Sequence, residues 1–177
     1  MSNSVYVIGL GTNEKLTSRL IRQVTQSPGS IEVPRWSHTW LEYSHPELGV
    51  MRAIHADSEG VRVENVLDVI ARYPEHRRIE VRWDLKPGLV RAIDEVGRRY
   101  DFDGVILRGL ILSVQRWSGC VLWVPEDDLD EWFCSELVTM ILAESAFPGH
   151  EQMVPHLTTP DKVESILDGS RHVRDFG

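Results

Sequence analysis

Cys134 stands in the stretch DEWFCSELVTMIL, Asp130 to Leu142, where an apolar segment with helical spacing begins. Cysteine attacks carbonyl carbon as its thiolate. A free thiol ionises only near pH ~8.5, so a nucleophilic cysteine needs something that favours the charged form. A helix N-terminus does this by aiming unpaired N–H groups and partial positive charge at the sulfur. A neighbouring imidazolium does it further. Cys134 in a first helical turn would gain the first effect, and a histidine from elsewhere in the fold must supply the second. Seven are present: His38, His45, His55, His76, His150, His156 and His172. His38 opens the apolar stretch SHTWLEY, and His55 lies in the next one, AIHAD. The neighbours of His55, Ile54 and Ala56, point to the opposite sheet face. If the two strands pair, His38 and His55 can meet on one face.

A plainer reading competes at each position. Val138 and Ile141 lie four and seven residues beyond Cys134, on the same helical face. Periodicity alone therefore makes Cys134 a core residue, and free cysteine is among the most buried types. The acidic run Asp127, Asp128, Asp130 and Glu131 suits a helix dipole but opposes a thiolate. A lone strand histidine is more often structural than catalytic. Trp36 and Trp40 flank His38 as groove walls or as core aromatics. Cys120, inside GCVLWVP, has no helix start and no polar neighbour, so it reads as a packed thiol. The spacings Cys-x-x-Cys and His-x-x-x-His are absent, which leaves zinc without support.

The elements that would position these residues follow from pattern. VYVIGLG reads as a strand and TNEKLTSRLIRQVTQ as a helix with Leu16, Leu20, Ile21 and Val24 on one face. SPGS stops that helix. RWSHTWLEYS reads as a strand. GVMRAIHAD and GVRVENV read as a hairpin through the turn DSEG, and RRIEVRWDL as a further strand. The second half is more helical. PGLVRAIDEVGRRYD opens with Pro87. FDGVILRGLILSVQRW reads as a buried helix, and DDLDEWFCSELVTMILAESAF as another. TTPDKVESILDG is a helix with Thr159 as N-cap, Pro160 first and Gly169 after its end. Strands in the first half and helices in the second predict an α+β domain, spanning 1–177 as one unit.

The chain has 177 residues, enough for one sizeable core, with 42% hydrophobic and 26% charged residues. Its formal net charge of −8 argues against a nucleic-acid partner. No secretory leader is read at the start, and no run approaches the ~18 apolar residues of a membrane span. A cytoplasmic location is expected, with free thiols.

Taken together, SHTWLEY, then AIHADSEGVRV, then WFCSELV resemble the permuted papain-like cysteine hydrolases. These are the circularly permuted relatives of the NlpC/P60 peptidases, a group that includes YiiX- and YaeF-type amidase-like proteins. The resemblance runs from about Val5 to Gly169, and FCSEL is its most specific piece. Ordinary NlpC/P60 domains place the cysteine before the histidine, whereas here His38 precedes Cys134. The resemblance implies an antiparallel sheet packed against helices with the nucleophile at a helix N-terminus. It implies Cys134 as nucleophile and His38 as base. The third polar place, often Glu, falls on His55, with Glu42 and Glu59 as fallbacks.

The implied activity is hydrolysis of an amide bond, in peptidoglycan peptides or a related substrate, through a thioester acyl-enzyme. Helix-start N–H groups would hold the oxyanion. Tyr6 is a candidate side-chain donor, and Trp36 and Ser135 are candidates for contact with substrate or oxyanion. No cofactor and no metal are expected, and the partner is a small-molecule, peptide or acyl substrate. Such an enzyme is bacterial or phage in character, and could be delivered in a phage particle or by a lysis system. Two rivals stand beside it: a thiol acyltransferase or lipid esterase using the same pair, and a non-catalytic binding or structural module with an inert thiol.

Overall fold

The computed structural model describes residues 5–25, 33–44, 49–100, 131–155 and 158–176. VYVIGLG forms β1 (Tyr6–Thr12), buried along its whole length. An inner strand covered on both faces shows an unbroken apolar run rather than alternation. The helix α1 (Leu16–Thr25) follows. Next come β2 (His38–Ser44), β3 (Met51–Asp57) and β4 (Gly60–Asn65). β3 and β4 form the expected hairpin, with Asp57 opposite Gly60.

By pattern alone Val66 is the end of that strand. Instead, α2 (Val66–Arg72) begins there, because Asn65 caps it by accepting a hydrogen bond from the Leu67 N–H at 2.9 Å. Then follow β5 (Glu75–Val81), α3 (Lys86–Asp94) and β6 (Arg99–Tyr100).

The helix read across residues 127–147 starts later. Glu131–Trp132 form β7, a short strand parallel to β6, and α4 runs over Cys134–Glu144. Strand pairing extends the backbone up to Trp132, so Cys134 is the first helical residue. A 3₁₀ turn covers His150–Gln152. α5 (Pro160–Asp168) keeps the Thr159 cap, which accepts from the Lys162 N–H at 3.3 Å. β8 (Val173–Asp175), which the sequence pattern did not reveal, completes the described elements.

Six strands make one antiparallel sheet in the order β4-β3-β2-β1-β5-β8. With the helices, this is an α+β arrangement. One face carries the main core, with Ile8, Leu10, Leu41, Ile54 and Ile79 against Leu137, Val138, Ile141 and Leu142 of α4. The other face carries a smaller cluster, Trp40 and Ala53 against Val66 and Val69 of α2. At the β5–β8 end of the sheet, Arg77 of β5 bonds Glu164 and Asp168 of α5 and Asp175 of β8. None of the described helices is long and apolar enough to cross a membrane. The expected buried helix at 102–117 and the segment containing Cys120 lie outside the described residues.

Candidate functional site

His38 is the first residue of β2 and is 4% exposed. It shares the α2 face of the sheet with Trp40, and its ring stacks on Tyr73 with centroids 4.5 Å apart and planes 9° from parallel. The room for this stack comes from β1. Gly9 lies opposite Trp40 and Gly11 opposite His38. A Cβ on Gly11 would meet the Tyr73 Cβ at 2.7 Å. Two glycines thus let large rings lie directly on the strand. Asp161 fixes the approach to β2 by accepting the Arg35 N–H at 2.8 Å.

His55, on β3, is fully buried and meets His38 edge-on. His38 Nε2 and His55 Nδ1 are 3.2 Å apart. The expected meeting on one sheet face is what the structure has. Behind His55 stand two residues that the sequence reading did not single out. Glu64 Oε2 lies 3.3 Å from His55 Nε2, and the Arg72 guanidinium pairs with Glu64. A signal was available for Glu64. The turn DSEG fixes the hairpin register, which pairs His55 with Arg62 and Ala53 with Glu64, so Glu64 shares the His55 face. Arg72 was hidden because α2 was not foreseen.

Burial drives the His38 imidazole well below its ordinary value, and the charges of His55, Arg72 and Arg62 push the same way. Burial also lowers His55, although Asp57 and Glu64 pull it back. Both rings are therefore neutral near pH 7.

Cys134 opens α4, with Phe133 at the N-cap position in extended conformation. The β2–β3 ladder ends at Leu41 opposite Ile54. Beyond that point β2 continues only with β1, and β3 only with β4. The thiol comes to this fork. The backbone N–H groups of Thr39, Ser135 and Cys134 itself face the sulfur and favour the thiolate. One peptide unit thus separates the residue that contacts the sulfur from His38. Burial outweighs those donors and, with the charge of Asp57, pushes the thiol up to about 11. The expected lowering by the helix start is present but loses to desolvation.

The other expected site residues sit as follows. Ser135 is buried, and its hydroxyl donates to the Thr158 carbonyl at 2.5 Å, so only its backbone N–H faces the sulfur. Trp36 is fully buried in the main core and is not a groove wall, because the β2 approach folds it inward. Trp40 is equally buried. Tyr6 pairs with Tyr43, four residues along β2 from Thr39. At ~3.3 Å per residue that is about 13 Å from the sulfur's contact, so Tyr6 is not brought to it.

Glu42 is fully buried but bonds Arg78 and the Trp40 indole N–H. Glu59 bonds Arg62 in the hairpin turn. Asp127, Asp128 and Asp130 lie outside the described residues. Among the described residues, no group of three His, Cys, Asp or Glu side chains could hold a metal ion.

A cleft of about 210 Å³ opens beside His38 and Tyr73. Its described lining is polar, including Asn13, Lys15, Ser37, Asp57 and Arg62, with Ile21 as the one aliphatic residue. Compared with known proteins, the chain matches no protein-family model and no curated protein sequence.

Proposed function

We propose that this chain is a cysteine hydrolase of the permuted papain-like (NlpC/P60-related) class, cleaving an amide bond in a polar substrate. The observation that carries the reading is the convergence at the fork. A helix-first thiol contacts the peptide next to a buried histidine, and that histidine is engaged through Nε2 by a second histidine.

In the proposed chemistry both partners start neutral. As Cys134 Sγ bonds to the carbonyl carbon, its proton passes to His38 Nδ1, the ring nitrogen not engaged with His55. The carbonyl oxygen takes up negative charge. The helix-start N–H groups of Cys134 and Ser135 stabilise that oxygen. The C–N bond then breaks, and His38 returns its proton to the departing nitrogen. His38 next takes a proton from water, which attacks the thioester and releases the acid and the thiol. His55 holds the His38 ring in the required tautomer, the general task of a third triad member.

The polar lining of the cleft supports a peptide-like substrate over the lipid acyl chain of the esterase rival, which needs an apolar slot. One observation favours the non-catalytic rival: the thiol is only 3% exposed and is neutral at pH 7.

The test is mass spectrometry of acid-quenched protein incubated with peptide amides, including peptidoglycan stem peptides. The expected result is a substoichiometric acyl mass on Cys134, absent from Cys134→Ala and from His38→Ala. No adduct with any substrate, together with alkylation of Cys134 only after unfolding, would remove the hydrolase reading in favour of a binding module.

A further inference from the structure

A neutral imidazole has one donor nitrogen and one acceptor nitrogen, so two facing histidines are useful to a base only in the right tautomers. The surroundings of His55 decide which. Its Nε2 faces Glu64 Oε2 at 3.3 Å and the Arg72 guanidinium at 3.5 Å. Glu64 is acceptor-only when ionised, and the pairing with Arg72 and Arg62 holds its carboxyl below the usual range against the opposing effect of burial. Arg72 Nη2 bonds that carboxylate and also lies within reach of Nε2. The carboxylate is the nearer partner, and a bond from Nε2–H to it is charge-assisted, so Nε2 carries the hydrogen. Asp57 is the competing acid. Its Oδ2 lies 3.9 Å from His55 Nδ1, too far for a hydrogen bond, and Arg62 holds it at 2.6 Å.

The geometry points to Glu64, clamped by Arg72, as a positioning residue of the proposed relay. It accepts His55 Nε2–H, so His55 Nδ1 accepts His38 Nε2–H, and the lone pair of His38 Nδ1 is left for the thiol proton. This rests on the hydrolase reading for its use, though not for its geometry. Directionality therefore enters from β4 and α2, two elements remote from the nucleophile in sequence.

Glu64→Gln tests it. Arg72 is donor-only, so it holds the new amide by its oxygen and turns the NH₂ group toward His55 Nε2. That reverses both rings: His55 then donates from Nδ1 to His38 Nε2, and His38 Nδ1 carries a hydrogen. Glu64→Ala reverses them too, because the remaining neighbour of Nε2, Arg72, can only donate. Long-range ¹H–¹⁵N spectra of labelled protein read the tautomers directly, without substrate. Wild type should show Nε2–H on both rings, and both variants Nδ1–H on both.

Cys134 acylation should fall by roughly 10²-fold in Glu64→Gln, the lower end of what a positioned general base contributes. Unchanged tautomers in folded Glu64→Gln or Glu64→Ala would overturn the assignment, as would Nδ1–H rings in the wild type. The predicted tautomers without any acyl adduct on wild-type Cys134 would remove the hydrolase reading alone. Adducts with unchanged tautomers in the variants would remove the role of Glu64 alone.

Discussion

Trp40 lies flat across Gly9, so that an ideal Cβ on Gly9 would fall 1.9 Å from the indole Cε2. The two residues pair across β1 and β2, and the indole continues into the stack with Tyr73 and His38. The glycine in the apolar run VIGLG is thus a seat for the aromatic layer behind the candidate base. Gly9→Ala cannot be absorbed by a flexible side chain, because the atom it meets belongs to a fully buried ring. Overpacking of this kind costs about 1–3 kcal/mol. Denaturant unfolding should show a loss at the upper end of that range. Cys134 acylation should fall with it, since the displaced indole carries Tyr73 and His38. A stability change under 0.5 kcal/mol would mean that the strand shifts to make room.

The pairing of His38 with His55 was legible because alternation along strands is rigid. Once Ile54 and Ala56 belong to the core face, His55 belongs to the other. The helix at Cys134 was legible from its apolar period, and Cys134 stands at its start as expected, but residues 127–133 before it were read as helix too. β7 extends the backbone up to Trp132 through pairing with β6, a partner 32 residues earlier. The balance at the thiol was also out of reach. A sequence reveals a helix start, but the depth of burial that outweighs it depends on the fork between β2 and β3. Arg72 escaped for a local reason. GVRVENV alternates like a strand up to the point where Asn65 turns it into α2.

Buried neutral histidines make stability depend on acid. The native values of His38 and His55 are depressed, so between the ordinary value near 6.5 and those depressed values the unfolded chain binds protons that the native chain refuses. Their contribution is complete above pH 6.5 and is lost as pH falls through that window. The loss approaches about 1.4 kcal/mol per pH unit for each histidine. Unfolding free energies from pH 7 to 5 should therefore fall more steeply in wild type than in His55→Gln. Parallel curves would mean that His55 is charged in the native state.

The thiol acts at the other end of the scale. Its native value, near 11, is raised, so its contribution is complete below the unfolded thiol value and is lost as pH rises toward 11. The difference in stability between wild type and Cys134→Ser should shrink by about 3 kcal/mol between pH 8 and 11. Taking the difference cancels the tyrosines that ionise in the same range. A flat difference would mean that burial does not raise the native thiol, and would remove the ground for starting the mechanism from a neutral thiol.

The strand before the nucleophile has its own anchor. Glu95 is fully buried, accepts the Trp132 indole N–H at 3.0 Å, and is paired with Arg91 at 2.7 Å and Arg98 at 2.6 Å. Trp132 is two residues from Cys134, so this carboxylate fixes the entry to α4. Glu95→Ala removes the acceptor of the indole N–H and the carboxylate beside the half-exposed Arg91 and Arg98, and an unsatisfied buried donor costs about 1–3 kcal/mol. Trp132→Phe removes only the single hydrogen bond and should cost about 1–2 kcal/mol. The two effects should not add, because both variants break the same contact. In Trp132→Phe, which retains the charge cluster, acylation of Cys134 should drop more than stability predicts, as the first turn of α4 loses its fixed approach to Thr39. Trp132→Phe with wild-type acylation and reduced stability would assign Glu95 to folding alone.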